Sequence, residues 1–292
     1  MNTKNLKKQN GFTLIELAIV IVIIGLLVAG VLQGQSLIQS SRINSTVSKV
    51  QNYNAAVNTF KGKYNALPGD IQNPGSFGLN TAKGGSTVNV CQTMTPAVTA
   101  SAGGGGDGDN VLGNAAWCDD TSPASSINYA ILTNWGVTGE VLNFSIHLSN
   151  AQLVKEGFSS ASVVTSGGFQ SGVDVGKLYP STPTGVGMIA LSDSSVTYWT
   201  LGAATSLVAY SDAIGNNLSP AEAYGIDSKL DDANPTTGIV QAVSGYGDVT
   251  ASTFTIASPS ATTCVFTGGT TYNMSGTYEN SKLCTLRIKG NF

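Results

Sequence analysis

Lys7-Lys8-Gln9-Asn10-Gly11-Phe12-Thr13-Leu14-Ile15-Glu16 decides how this chain is read, because an apolar run follows it without a break to Leu32. Lys4, Lys7 and Lys8 precede Gly11, and no acid does. From Phe12 to Leu32 the only ionisable side chain is Glu16. The run is 21 residues, or about 31 Å as a helix. A bilayer core is about 30 Å thick, so the segment is long enough to span it. Basic residues ahead of the run predict that its start faces the cytoplasm and that the remainder lies on the far side.

An acid inside a membrane span is rare and calls for a partner. Glu16 stands five residues past Gly11. A cut after Gly11 would make Phe12 a new N-terminus, with Glu16 at i+4 on the same helix face. The carboxylate would then neutralise that amine, or the amine of a neighbouring copy.

Gly11-Phe12-Thr13-Leu14-Ile15-Glu16 resembles the processing site of type IV prepilins and of the pseudopilins of type II secretion. The resemblance implies cleavage after Gly11 by a membrane prepilin peptidase, which also N-methylates Phe12. It implies that Glu16 docks each subunit into a growing filament. The implied partners are other copies of the chain, other pilins, the peptidase/methyltransferase and an inner-membrane assembly platform. One departure from the family is visible. Many members carry a proline about two-thirds along the apolar helix, where this chain has Ala29-Gly30-Val31-Leu32-Gln33-Gly34. Any kink would have to come from Gly30 and Gly34, which are weak helix formers.

Two plainer readings compete. An ordinary secretory signal peptide would be cut near Ala29 or Gly34, but an acid at the head of the apolar region argues against it. A simple signal anchor gains nothing from Glu16.

The apolar pattern does not stop at the membrane. Ile43, Val47, Val50, Tyr53, Val57, Phe60 and Tyr64 recur at spacings of three and four, an amphipathic stripe. No proline interrupts residues 12–67, and Pro68-Gly69-Asp70 ends the pattern. The spacing predicts one helix of about 50 residues, roughly 75 Å long. Its first half is apolar all round, and its second buries one face against the head.

Tyr64-Asn65-Ala66-Leu67-Pro68-Gly69-Asp70 also resembles a segment that follows the stem helix in a subset of pilin-like proteins. Ile226-Asp227-Ser228-Lys229-Leu230-Asp231-Asp232 and Tyr272-Asn273-Met274-Ser275 resemble downstream segments of the same subset. The fold implied is α+β and pilin-like: a long N-terminal helix on an antiparallel β-sheet head with loop-rich insertions. The expected divisions are a leader (1–11), a transmembrane or filament-core helix (12–34), an amphipathic stem (35–66) and a periplasmic or extracellular head (67–292).

Within the head, residues 140–153 carry a second helical pattern containing His147. Val186-Gly187-Met188-Ile189-Ala190-Leu191 lacks clear alternation, as a buried strand does. It is expected to pair with Val196-Thr197-Tyr198-Trp199-Thr200-Leu201. Ser219-Pro220-Ala221-Glu222 is a capping box with proline at the first helical position. Ile239-Val240, Thr253-Phe254-Thr255-Ile256 and Cys284-Thr285-Leu286-Arg287-Ile288-Lys289 are further strand candidates.

Charged residues are only 11% of the 292, a polar but uncharged composition that suits a secreted β-rich head. Residues 17–69 hold four basic side chains and no acid, whereas residues 70–292 hold 16 acids against seven basic residues. A basic stem and an acidic head would attract one another between copies, although solubility alone accounts for such a surface. No basic patch interleaved with aromatics points to nucleic acid.

Cys91, Cys118, Cys264 and Cys284 all follow the span, so two disulfides in an oxidising compartment are expected. Three pairings are possible; the local one, Cys91–Cys118 with Cys264–Cys284, is favoured. In pilins a disulfide often staples a C-terminal loop to the sheet edge, and Cys264–Cys284 matches that position by resemblance.

The single histidine makes a Ser/His/Asp set implausible, and the glycine-rich run at residues 103–108 lacks the Gly-Lys-Ser/Thr of a phosphate loop. No enzymatic activity is expected. Asp107, Asp109 and Asn110 are the best metal candidates, because calcium takes oxygen ligands on flexible loops. Their spacing does not fit an EF-hand, and a solvated glycine hinge is the plainer reading. The calcium-binding head loops of major pseudopilins support the idea by resemblance only. Asp227, Asp231 and Asp232 form a second acidic group that helix-capping and turn duty explain equally well.

Three functions stay open: a surface pilus subunit, expected to move from the inner membrane to a filament; a secretion pseudopilin; and a membrane-tethered binding protein that never polymerises.

Overall fold

The computed structural model describes residues 13–71, 74–79, 108, 110, 112, 139–158, 164–165, 168–169, 179–193, 196–202, 216–243, 260 and 263–292. The expected strand at residues 253–256 lies outside them, as do Gly11, Phe12, Cys91, Cys118, Asp107 and Asp109. The chain divides into two compact units, residues 1–42 and residues 43–292.

Helix α1 spans Leu14–Tyr64, 51 residues, and runs unbroken through Gly30 and Gly34. Its N-terminal part buries no side chain through residue 42. Thereafter Ile43, Thr46, Val47, Val50, Tyr53, Ala56, Val57 and Phe60 are buried. Ile43, Val47, Val50, Tyr53, Val57 and Phe60 are members of the three-and-four stripe read from the sequence, now facing the core, and Tyr64, its last member, is half-buried against it. Lys61 and Lys63 in the last turn complement the helix dipole. Asn65 (φ 53°) closes the helix, its N–H donating to Lys61 O at 2.8 Å.

The head is built on a four-stranded antiparallel sheet: β3 (Gly187–Asp193), β4 (Val196–Gly202), β5 (Val240–Val243) and β6 (Thr285–Lys289), in the order β3-β4-β6-β5. A separate two-stranded hairpin joins β1 (Val164–Thr165) and β2 (Gly168–Phe169). Helix α2 covers Gly139–Asn150 and α3 covers Pro220–Leu230.

Register sets the core. Met188 and Ala190 lie opposite Leu201 and Trp199, which lie opposite Leu286 and Ile288, and these face Ala242 and Val240. All eight are buried on one sheet face. Trp199 anchors it: its indole meets Tyr53 of α1, Phe144 of α2 and the C-terminal Phe292 edge-on, and its Nε1–H donates to Asn54 Oδ1 at 2.6 Å. Ile189, Leu191 and Thr200 on the opposite face are buried too. Burial on both sides is why β3 shows no hydrophobic alternation.

The capping box at α3 forms as its sequence predicts. Ser219 Oγ accepts Glu222 N–H at 3.2 Å, and Glu222 Oε2 accepts Ser219 N–H at 2.9 Å. Gly225 lets α3 approach α1, since a Cβ there would sit 2.6 Å from Ile43 Cδ1. A disulfide joins Cys264 to Cys284 across 20 residues. Cys284 is also tied to Leu218 by a pair of backbone hydrogen bonds at 2.9 and 3.0 Å.

Candidate assembly segment and the sites around the head

Thr13 is the first described residue and stands as the N-cap of α1. Its N–H and its hydroxyl both donate to Glu16 Oε2, at 2.8 and 2.9 Å, and its Oγ1 accepts Glu16 N–H at 3.3 Å. This is a reciprocal capping box made from the Thr-x-x-Glu of the opening motif. Glu16 therefore has an intramolecular partner in the single subunit. Sequence reading assigned it only an amine; the threonine three residues earlier was the available signal.

From Leu14 to Leu32 the helix surface is exposed all round and, Glu16 aside, carries no ionisable side chain. Leu14, Ile15, Leu17, Ile19, Ile21, Ile23, Leu26 and Leu32 are each more than half exposed. The helix is long and apolar enough to cross a membrane. A single subunit leaves this apolar surface uncovered, and a surface of that size marks a site of contact with lipid or with another apolar surface.

The acidic group on the head forms as a cluster. Ligand oxygens of Asp227, Asp231 and Asp232 lie within 4.8 Å of one another. Each carboxylate nevertheless has internal donors. Asp227 accepts Tyr272 O–H at 2.8 Å and Ala233 N–H at 3.2 Å. Asp231 accepts the N–H groups of Ile239 and Val240. Asp232 accepts Asn234 N–H at 2.9 Å and Thr237 O–H at 2.7 Å. These acids organise the turn between α3 and β5. Burial pushes the Asp227 carboxyl up to about 6, against the pull of the Tyr272 hydroxyl.

Of the calcium candidates, Asn110 alone is described. Its N–H donates to Asp70 Oδ2 and that of Gly108 to Asp70 Oδ1, both at 2.7 Å. Asp70, fully buried, thus grips the end of the glycine-rich run through two backbone donors. Sequence reading placed Asp70 in a turn and missed this role, because its partners are about 40 residues away.

His147 is fully buried in α2. Its Nδ1 accepts Gly69 N–H at 2.9 Å, its Nε2 has no hydrogen-bond partner among the described residues, and its ring stacks parallel to Phe60 at 6.3 Å.

Residues 6–32 match the family model of the prokaryotic N-terminal methylation motif. No curated protein and no solved structure matches the chain. The long apolar helix, the antiparallel head and this match agree, and residues 6–32 carry the signature of type IV prepilins and pseudopilins.

Proposed function

We propose that this chain is a structural subunit of a type IV pilus-like filament, cleaved after Gly11, N-methylated at Phe12 and polymerised through α1. One observation carries the reading. The methylation motif at residues 6–32 coincides with the start of a helix whose first 29 described helical residues, 14–42, bury nothing and contain Glu16 as their only acid. The part of it from Leu14 to Leu32 is stable in lipid before assembly and in a helix bundle after it. Transfer from one to the other is the polymerisation step. Glu16 and the Phe12 amine set the register, since a carboxylate facing an amine away from water is costly to break. The head would lie in the periplasm first and on the filament exterior afterwards. The motif implies a prepilin peptidase and other pilins as partners.

A type II secretion pseudopilin is the second reading, because the same motif serves both. The large, polar, weakly charged head favours a surface fibre. Glu16→Ala tests the docking role. The variant should insert into the membrane normally, yet shed no subunit into sheared surface material. Normal filaments from it would refute the role of Glu16.

A further inference from the structure

We propose that His147 is a protonation-sensitive latch: while neutral it holds the 67–70 turn, and through Asp70 the backbone at Gly108 and Asn110, and when protonated it lets both go.

The geometry carries this. A ring nitrogen that accepts a hydrogen bond has no proton, so the Gly69 N–H at 2.9 Å fixes Nδ1 bare and places the imidazole proton on Nε2. Adding a proton to the ring puts it on Nδ1, donor against donor with Gly69. It also creates a cation at a fully buried position. Phe60 lies flat against the ring from α1.

Among the described residues, the ionisable groups on the surrounding elements offer no ready counter-charge, and burial alone acts on the ring. On α1 they are Lys61, Lys63 and Tyr64, with the Lys63 ammonium over the Tyr64 ring. In the turn there is Asp70, both of whose oxygens accept backbone N–H groups. Residues 143–150 of α2 carry no other ionisable side chain. Beyond α2, Lys155 follows, and Glu156 is paired with Lys49 at 2.6 Å. If the imidazolium drew Asp70 toward itself, it would take that carboxylate from Gly108 and Asn110, with the same result. Burial pushes the imidazole down to about 4, so the latch is closed at neutral pH and opens in acid.

The fold contains its own control. Leu112, two residues past Asn110, is held independently by β3. Its N–H donates to Ser192 Oγ at 2.7 Å, and its carbonyl accepts Ser192 N–H at 3.0 Å. Release by His147 therefore frees Gly69, Gly108 and Asn110 and leaves Leu112 in place, whereas general acid unfolding frees all four.

The test is amide hydrogen exchange on the full chain in detergent micelles at about pH 7 and pH 3, with histidine-ring NMR across the range. The chain has a single histidine, so the ring signal needs no assignment by mutation. Protection at Gly69, Gly108 and Asn110 should fall about tenfold or more in acid, as expected for loss of hydrogen bonds, with the ring titration as its midpoint and Leu112 unchanged. His147→Asn keeps an acceptor near Nδ1 that does not titrate, and keeps Asp70. It should hold the three amides at both pH values. Equal loosening in His147→Asn would overturn the latch. If that variant does not fold, the wild-type midpoints decide: protection lost at a pH different from the ring titration overturns it, as does a ring titration that leaves the three amides protected.

Discussion

The hydroxyl and the N–H of Thr13 both donate to one oxygen of Glu16, at 2.9 and 2.8 Å. The carboxylate that the filament reading needs for an amine is thus already engaged in the single subunit. Thr13→Val keeps the shape and removes the hydroxyl. Losing a helix N-cap of this kind costs about 1 kcal/mol. The expected outcome is faster amide exchange in the first turn of α1, with membrane insertion unchanged. Unaltered exchange there would show that the cap contributes nothing.

The Cys264–Cys284 bridge closes a loop of 20 residues. Restricting the unfolded chain by such a loop is worth about 3 kcal/mol. Replacing both cysteines by alanine should lower unfolding stability by that order in urea titration. Substitution is preferable to reductant because it acts on this bridge alone.

Gly238 has φ +78°, and a Cβ there would sit 1.7 Å from Asp231 Oδ2. That oxygen accepts the N–H groups of Ile239 and Val240 at the start of β5. Gly238→Ala should therefore destabilise the head by more than about 1 kcal/mol, through both backbone strain and a displaced carboxylate. Thermal unfolding of the variant checks this.

Asn54 Oδ1 is the acceptor for the buried Trp199 indole at 2.6 Å. Asn54→Leu removes it and leaves a buried N–H unpaired, a loss of about 1 to 3 kcal/mol. A shift of tryptophan fluorescence with unfolding midpoint would report it. Pairing Asn54→Leu with Trp199→Phe should recover part of the loss.

Stability should also depend on pH through His147. Burial lowers its folded-state value from 6.5 to about 4. Between those values the unfolded chain binds more protons, so this contribution is complete above pH 6.5 and is lost as the pH falls toward 4. By pH 5 the loss is roughly 2 kcal/mol. Asp227 works the other way. Its carboxyl, raised by burial to about 6, takes up a proton in the folded state first and adds stability as the pH falls from 6 toward 4. His147→Asn keeps Asp227, so urea unfolding of both proteins at pH 7 and 5 isolates the histidine. The wild type should lose more stability than the variant; parallel losses would contradict the assignment.

Much of this was legible where the signal is local. The three-and-four spacing from Ile43 to Phe60, uninterrupted by proline, specifies α1 and the face it buries. Ser219, Pro220 and Glu222 specify the start of α3 within four residues. The β3–β4 pair follows from two apolar runs and a short polar break. What was not legible is non-local. β6 inserts between β4 and β5, and nothing within its five residues says so. Phe292 reaches Trp199 and Phe144 from the end of the chain. Asp70 and His147 read as a turn acid and a helix residue, and only tertiary folding brings them Gly108, Asn110 and Gly69 as donors. In the opening segment, the motif announced Glu16, while its bond to Thr13 is a matter of side-chain geometry.

The most direct test of the filament reading is the mass of the N-terminal peptide from sheared surface material and from membranes. The account predicts a peptide beginning at methylated Phe12 in the sheared fraction, which would establish processing and surface assembly together. Processed Phe12 confined to membranes would favour the pseudopilin reading. An intact leader beginning at Met1 in both fractions would contradict the account.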